Sequence, residues 1–287
     1  VGSINFQAGL NSSISFSPEE HGNMLISSWG KADVMGLENL KMNQSSFSHL
    51  DNISSICFSP NGKMYATVSG NSVMLWDLKS GKLIKENIIQ HEDRINKIVF
   101  SPDSNEIATA SNDHSIKIVD IKTGSFKQLQ HEQLGAVEKL VFTPEGSVIV
   151  AIHHRLKENG YVLSFWDKNT GEELVRHDNF RKEDEVGFSL SSHLYLVGED
   201  DKKIKFYDLS SEEEAKIVPH CQPSDELFFE PKNALVACAT FEDIIVYNLL
   251  DSETSRFEQK IEGEVEAISI SPDGNYVALG TEYGKVL

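Results

Sequence analysis

Cysteine, positive charge and long apolar runs are all scarce in this sequence of 287 residues. Its three cysteines, Cys57, Cys221 and Cys238, are widely spaced and match neither a disulfide framework nor a metal-binding motif, so we expect buried reduced thiols. No apolar run is long enough to span a bilayer. The first residues show neither the charged nor the apolar region of a signal peptide. These absences predict a cytoplasmic or nuclear protein that does not insert into a membrane.

Negative charge dominates, because 26 Lys and Arg face 44 Asp and Glu, which gives a formal net charge of −18. Such a chain is repelled by phosphate backbones and anionic lipid surfaces, so direct nucleic-acid binding is not expected, although a local basic site is compatible with this charge. Hydrophobic residues at 39% and charged residues at 24% are typical of a soluble globular protein.

An internal repeat runs along the whole chain. A residue that closes one strand and precedes a turn recurs at intervals of 41 to 46 residues. These markers are Phe16, Phe58, Phe100, Phe142, Phe188, Phe229 and Ile270. Most are followed by a Ser-Pro or similar turn, in which proline fixes φ and glycine or asparagine tolerates positive φ. A fixed period of this length predicts a solenoid or a propeller.

Each repeat unit holds four short apolar runs separated by turn signals and rich in Ile, Val, Phe and Tyr, which predicts four β-strands. One four-stranded sheet cannot bury both of its faces alone. Seven sheets stacked radially around an axis can do so, and they leave only short edges exposed. The residues therefore predict an all-β, seven-bladed propeller.

A second marker, an aromatic-acid or similar pair, closes a later strand of most units, as in Trp76-Asp77 and Trp166-Asp167. With the turns in register, these pairs resemble the WD40-repeat β-propeller family over essentially all of the chain. The resemblance implies a single domain over residues 1–287. The run that ends in Ser28-Trp29 is also similar to the first blade of mitotic-checkpoint and RNA-export propellers.

The two ends of the chain complement each other. A strand-like run, Ile4-Asn5-Phe6, precedes the first unit, and the seventh unit stops at Leu287, midway through its third strand. The N-terminal run can supply the missing outer strand, so we expect a ring closed by the N-terminal strand, as the resemblance implies, and a natural chain that continues beyond Leu287. The alternative is a disordered leader and a truncated chain.

Two polar sets match the family's hydrogen-bond network of His, Ser or Thr, Asp and Trp. They are His49, Thr67 and Trp76 in the second unit, and His91, Thr109 and Asp113 in the third. A Ser-His-Asp catalytic reading is the alternative. Because the network recurs in neighbouring units, we interpret it as scaffolding that satisfies buried polar groups, and we predict no catalytic residues.

The fourth unit has the largest insertion, from His153 to Gly160, and the link to the next unit runs from Arg176 to Glu183. The resemblance places both segments on the narrower face, where we expect one basic patch with an aromatic. Its residues are His153, His154, Arg155, Lys157, Arg176, His177, Phe180, Arg181 and Lys182. Arg and Lys favour a carboxylate or phosphate partner. The alternative is a solvated pair of loops, partly neutralised by Glu158, Asp178 and Glu183.

A metal site at the His153-His154 pair, with His131 as a third ligand, has no supporting motif, so we predict neither metal nor cofactor. The leading functional prediction is a non-enzymatic interaction scaffold, a subunit of a larger complex. It would bind an acidic or phosphorylated peptide or subunit through the patch, with Trp29 as an apolar anchor. Two alternatives are a propeller enzyme with a channel site and a reader of basic, histone-like tails on an acidic rim.

Overall fold

The fold was analysed in a computed structural model of the chain. The residues that the structure describes are 4–5, 13–18, 22–28, 31–36, 41–48, 52–156, 160–180, 185–188, 194–200, 203–208, 216–217, 226–230, 235–239, 243–248, 253–258, 265–271, 273–281 and 285–286. Over these ranges the regular secondary structure consists of 28 strands and no helix. The all-β prediction is confirmed, and the architecture is a propeller of antiparallel sheets.

The described strands form seven four-stranded sheets, numbered here in chain order. Sheet 1 contains β2 (Ser13–Phe16), β3 (Asn23–Ser28), β4 (Lys31–Gly36) and β5 (Lys41–Ser48). Sheet 2 contains β6 (Ile53–Phe58), β7 (Met64–Ser69), β8 (Ser72–Asp77) and β9 (Leu83–Lys85). Sheet 3 contains β10 (Ile95–Phe100), β11 (Glu106–Ser111), β12 (Ser115–Asp120) and β13 (Phe126–Gln130). Sheet 4 contains β14 (Leu134–Phe142), β15 (Val148–Arg155), β16 (Tyr161–Asp167) and β17 (Glu173–Phe180).

The remaining strands follow the same order. Sheet 5 contains β18 (Glu185–Phe188), β19 (Leu194–Asp200), β20 (Lys203–Asp208) and β21 (Lys216–Ile217). Sheet 6 contains β22 (Glu226–Glu230), β23 (Leu235–Ala239), β24 (Asp243–Asn248) and β25 (Thr254–Glu258). Sheet 7 contains β26 (Val265–Ile270), β27 (Val277–Thr281), β28 (Lys285–Val286) and β1 (Ile4–Asn5). In sheet 7 the first strand of the chain pairs antiparallel with the last, with Ile4 opposite Val286.

Neighbouring sheets bury their faces against each other. The middle strands of sheet 3 are buried on both faces, whereas its outer strand β13 is largely exposed. One apolar cluster joins Ala108 and Ile118 of sheet 3 to Leu140 and Phe142 of sheet 4. Burial of such side chains stabilises a fold by about 1.5–3 kcal/mol each, which a lone sheet could not obtain from both faces.

The turns between the first two strands of a unit have the chemistry that the sequence predicts. The Ser59 hydroxyl accepts a hydrogen bond from the Met64 N–H at 2.9 Å, and Ser101 does the same for the Glu106 N–H at 2.9 Å. Gly62 adopts a φ of 66°, a left-handed value that its turn requires. These serines fix where each hairpin begins.

Polar bonds also join adjacent sheets and set their order. The Ser54 hydroxyl donates to the Ile95 carbonyl at 2.7 Å, and the Asn96 amide donates to the Val137 carbonyl at 2.9 Å. Both donors lie at the inner strands of their sheets. Sheets 2, 3 and 4 are therefore tied at fixed positions along their inner edges.

The cysteines do not all behave as expected. Cys57 is a free thiol, and burial raises its pKa to about 12. Cys238, buried in β23, is disulfide-bonded, so the prediction of a reduced thiol was wrong there. Sequence spacing cannot tell which sulfur atoms a fold brings together. Cys221 lies outside the described residues. Within the described ranges, no helix has the length and apolar character needed to cross a membrane.

Candidate functional site

Sheet 4 is longer than its neighbour at one end. Its strands contain 9, 8, 7 and 8 residues, against 6, 6, 6 and 5 in sheet 3. The first part of the expected loop insertion is therefore strand, since His153, His154 and Arg155 are the last residues of β15. The extra residues of the fourth repeat lengthen the sheet because they find pairing partners on both sides.

Register brings several predicted residues to this end. Leu134 pairs with Arg155, His154 pairs with Tyr161, and Tyr161 pairs with Phe180. We call the surface formed by Leu134–Gly135, His154–Leu156, Gly160–Tyr161 and Phe180 the extended end of sheet 4. The structure thus places the backbones of His154, Arg155 and Phe180 together, as the sequence predicts.

His153 does not belong to an accessible patch, and its predicted role was wrong. Its side chain is 1% exposed, and neither ring nitrogen has a hydrogen-bond partner. Burial lowers the pKa of His153 to about 3 against the opposing effect of the Gly135 backbone, and the nearby Arg176 and His131 add to the lowering, so the ring is neutral. Consecutive residues of a strand point to opposite faces, which sends His153 inwards and His154 outwards.

Arg176 was expected in the link between units but lies inside β17, opposite Ser164. Its guanidinium donates two hydrogen bonds to Glu173, from Nε to Oε1 at 2.8 Å and from an Nη to Oε2 at 2.6 Å. This bidentate pair neutralises the charge. Arg176 therefore supports the sheet rather than a basic patch. His177 also lies in β17.

His154 is held in place by an acid and an aromatic ring. Its Nε2 lies 3.0 Å from Glu138 Oε1, and its ring centroid lies 4.4 Å from that of Tyr161. Across the sheet, a Cβ on Gly135 would come within 3.2 Å of the His154 Cβ, so only glycine fits here without displacement. Leu156, whose side chain is 47% exposed, lies two residues after His154 in the chain. The surface combines a fixed imidazole with an exposed apolar side chain.

Several predicted residues cannot be placed. Trp29, His49, Lys157, Arg181 and Lys182 lie outside the described residues. Conversely, Gly135, Glu138, Leu156 and Tyr161 were not singled out from the sequence. The sequence does contain a signal for them. This repeat has four additional residues, and if strand alternation continues through His153-His154, residues of both flanking strands are predicted to pair with this segment.

The polar set of the third unit forms one buried network. His91 Nδ1 lies 2.8 Å from Asp113 Oδ2, and His91 Nε2 lies 2.8 Å from Thr109 Oγ1. Burial lowers the pKa of His91 against the opposing effect of Asp113. For Asp113, burial alone would raise the pKa, but hydrogen bonds from Ser115 and the Glu92 N–H lower it.

In sheet 2 the Trp76 Nε1–H donates to Thr67 Oγ1 at 2.9 Å. Thr67 and Thr109 are fully buried, so neither hydroxyl can reach a substrate. Among the described residues, no group of three or more His, Cys, Asp or Glu side chains has an arrangement that could hold a metal ion. The geometry of both networks fits scaffolding of the sheets.

Comparisons with known proteins agree with this architecture. Residues 41–77 and 81–120 match the family model described as WD domain, G-beta repeat. A stretch of 79 residues, 27% of this chain, is 33% identical to the transcriptional corepressor LEUNIG_HOMOLOG of Arabidopsis thaliana and spans only 10% of that relative. The hydrazine synthase of Kuenenia stuttgartiensis superimposes with a TM-score of 0.77 over 99% of this chain and 97% of that one. At 13% identity, this likeness shows the fold alone.

Proposed function

We propose, from the premise that the chain carries WD40 repeats in an all-β propeller, that it is a non-enzymatic scaffold that binds a partner protein at the extended end of sheet 4. WD40 repeats generally mediate protein–protein interaction. Function in such folds sits on elements that a rigid frame holds in place. The lengthening of sheet 4, which is the largest departure from the repeat among the described sheets, carries this proposal.

The partner that suits this surface is acidic or phosphorylated. Arg155 lies at the extended end, Lys157 follows it closely along the sequence, and Arg181 and Lys182 directly follow Phe180. Guanidinium groups bind carboxylates and phosphates in bidentate fashion. Leu156, which directly follows Arg155, supplies an exposed apolar contact. We further propose residence in the cytoplasm or nucleus and membership of a larger complex.

A ring of seven blades, closed by the N-terminal strand, is part of the same proposal. The pairing of β1 with β28 supports it, as does the apolar cluster that joins Ile14 of sheet 1 to Ala278 of sheet 7. A closed ring has no open side edge and holds its loops rigidly. Deletion of residues 1–7 should lower the melting temperature and promote aggregation, and an unchanged melting temperature would contradict closure.

Capture of partners on the immobilised protein, with mass spectrometry to identify them, tests the binding proposal. The variant Arg155→Ala, Arg181→Ala, Lys182→Ala should lose partners that the wild type retains. Its matched control removes the same number of positive charges elsewhere, at the exposed side chains Lys31, Lys63 and Lys97. Equal loss from both variants, or from neither, would reject the extended end as the binding surface.

The proposal also states that the protein is not an enzyme. The buried positions of His91, Thr109 and Thr67 support it, because these are the side chains that resemble a catalytic constellation. Turnover of any hydrolase, lyase or redox substrate from a broad panel that is lost on His154→Ala substitution would overturn it.

A further inference from the structure

A second surface, on the outer strands of sheets 2 and 3, exposes large apolar side chains. Leu83 and Ile84 of β9 are each 43% exposed, and Phe126 of β13 is 67% exposed. We call this region the outer flank: residues 82–86 with Lys117, Lys122 and 126–130. It is separate from the extended end of sheet 4, which it does not include.

The outer flank is positively charged on a chain of net charge −18. Its lysines are Lys82, Lys85, Lys117, Lys122 and Lys127. None of the five forms an ion pair with a carboxylate of a described residue. Three of them instead donate hydrogen bonds to carbonyl oxygens: Lys85 to Ile121, Lys117 to Gln90 and Lys127 to Lys168. A carbonyl positions an ammonium group but leaves its full charge in place.

The carboxylates nearby are fewer and are partly engaged. Glu86 is exposed. Asp77 accepts hydrogen bonds from the N–H and hydroxyl of Ser80, and Asp120 accepts the corresponding bonds from Thr123. Asp167, whose charge interacts with that of Lys127, likewise accepts hydrogen bonds from the Asn169 and Thr170 N–H groups. With five lysines against these four carboxylates, the flank attracts negative charge whereas most of the surface repels it.

The backbone of the flank is also open. β13 is the terminal strand of sheet 3, so one side of its backbone is not paired within the sheet. Its Leu129 side faces sheet 4, where a Cβ on Gly171 would come within 3.3 Å of the Leu129 Cδ2. Phe126, Gln128 and Gln130 occupy the opposite, exposed side. Exposed edge strands accept an additional extended segment through main-chain hydrogen bonds.

We propose that the outer flank binds an acidic segment of a partner protein, which carries apolar side chains and adds to β13 as a fifth strand. Charge selects this occupant: a second copy of the chain would bring another −18 to the surface, whereas an acidic segment meets the uncompensated lysines. Its apolar side chains cover Phe126, Leu83 and Ile84. The Lys117 ammonium, 5.9 Å from the centroid of the Phe126 ring, is placed to meet a carboxylate beside that apolar contact.

Binding at the outer flank does not depend on binding at the extended end of sheet 4. The probe for it is a short fluorescein-labelled peptide that alternates Glu or Asp with Leu, Val or Phe. Fluorescence anisotropy gives its affinity. Phe126→Ser should weaken binding about tenfold or more, as for an apolar anchor. Lys82→Glu with Lys122→Glu should weaken it by a similar factor at about 50 mM salt and by less at about 0.5 M salt, where exposed charges are screened.

Matched controls isolate the flank. Lys31→Glu with Lys97→Glu makes the same double charge reversal on β4 and the inner strand β10, and Leu156→Ser removes an exposed apolar side chain at the extended end of sheet 4. Both should bind the peptide as the wild type does. A peptide with Lys in place of its acids should not bind, and N-methylation of alternate peptide bonds should abolish binding because it removes main-chain donors.

Three results would overturn the proposal: equal binding of the acidic and basic peptides, unchanged binding by Phe126→Ser, or a wild-type dimer in light scattering that Phe126→Ser dissociates. The last result would assign the flank to self-association. Because Phe126 is mostly exposed, its replacement should leave the melting temperature unchanged, which separates lost binding from misfolding.

Discussion

Sheets 3 and 4 treat the same place in the repeat in opposite ways. In sheet 3 the Ser111 hydroxyl lies within hydrogen-bond distance of the Asp93 and Arg94 carbonyls, at 3.1 Å and 3.0 Å, and accepts from the Asp113 N–H. Forty-two residues later, the corresponding position in sheet 4 is His153, which has no partner. One sheet closes its end with a polar network. The other extends its strands past it.

The exchange continues at the neighbouring positions. Thr109 corresponds to Ala151, and Asp113 corresponds to Arg155. Sheet 4 therefore lacks counterparts of the two residues that hold His91 in sheet 3. Its tryptophan compensates locally, because Trp166 Nε1–H donates to Ser164 at 2.7 Å. The comparison teaches that a repeat can give up its internal network where the residues are used for surface instead.

The largest expected effect breaks sheet 3. His91→Ala leaves the Asp113 carboxylate and the Thr109 hydroxyl without their histidine partner in a buried site, which should lower the free energy of unfolding by about 3 kcal/mol. Urea denaturation measures the change. His131→Ala, in the link between β13 and β14 that leads into sheet 4, should cost less than about 0.5 kcal/mol, since its side chain is 38% exposed. Equal costs would mean that the two sheets do not differ.

The second effect is a pH dependence to which His153 of sheet 4 should contribute most, although the pKa of His91 in sheet 3 is lowered in the same direction. The folded-state pKa of His153 is about 3, well below the unfolded value of about 6.5, so the folded protein resists protonation. Stability should be complete above about pH 6.5 and fall as the pH drops towards 3, by about 2 kcal/mol at pH 5.

Denaturation of His153→Gln at pH 7 and pH 5 checks this slope against the wild type. The variant should lose less stability on acidification, because glutamine does not titrate. His154→Gln, at the exposed neighbouring residue, serves as the control and should retain the wild-type slope. A His153→Gln slope equal to that of the wild type would refute the role of the buried ring.

The third effect sharpens the extended end of sheet 4. Gly135→Ala places a methyl group 3.2 Å from the His154 Cβ and 3.3 Å from both the His154 carbonyl oxygen and Leu156. The neighbouring atoms of His154 and Leu156 must move to make room, at a cost of about 1–2 kcal/mol. Gly124→Asn is the control, because its turn has open space and asparagine tolerates positive φ. Identical melting temperatures for the two variants would show that the end is loosely packed.

The smallest effect concerns the acid that holds His154. Glu138→Gln removes the charge opposite His154 Nε2 and should change stability by only about 0.5 kcal/mol, since the imidazole is partly exposed. The amount of partner captured should fall clearly, although the free energy of unfolding changes little. Glu145→Gln, in an exposed turn, is the matched control. A stability loss as large as that of His91→Ala would place His154 in a structural network.

Much of this architecture could be predicted from the sequence because the repeat marks its own boundaries. The Ser-Pro turns and the contacts of His91 with Thr109 and Asp113 follow from residue types at fixed offsets. The register of Arg176 does not. The pairing with β17 slips by one residue between Phe165 and Trp166, as it also does between Tyr161 and Val162. The slip at Phe165 brings Glu173 and Arg176 to the same side of the strand.

The length of β15 was equally hidden. The run from His153 to Gly160 has the composition of a loop, and only its pairing with Leu134 and Tyr161 makes its first part a strand. Pairing of this kind is a tertiary effect that local pattern does not report. The burial of the His153 side chain follows from the same pairing.

The lysine bonds on the outside of the molecule have a mechanical consequence. Lys85 and Lys127 sit opposite Leu75 and Ile118 in their sheets, and each reaches forward to a turn of the next sheet. At the corresponding place in sheet 4, opposite Phe165, stands Val175, which has no donor to offer. The two lysine–carbonyl bonds therefore connect sheet 2 to sheet 3 and sheet 3 to sheet 4, and the series ends at the hydrocarbon side chain of Val175. A force applied to the outer strand of sheet 2 is shared by sheets 2 to 4.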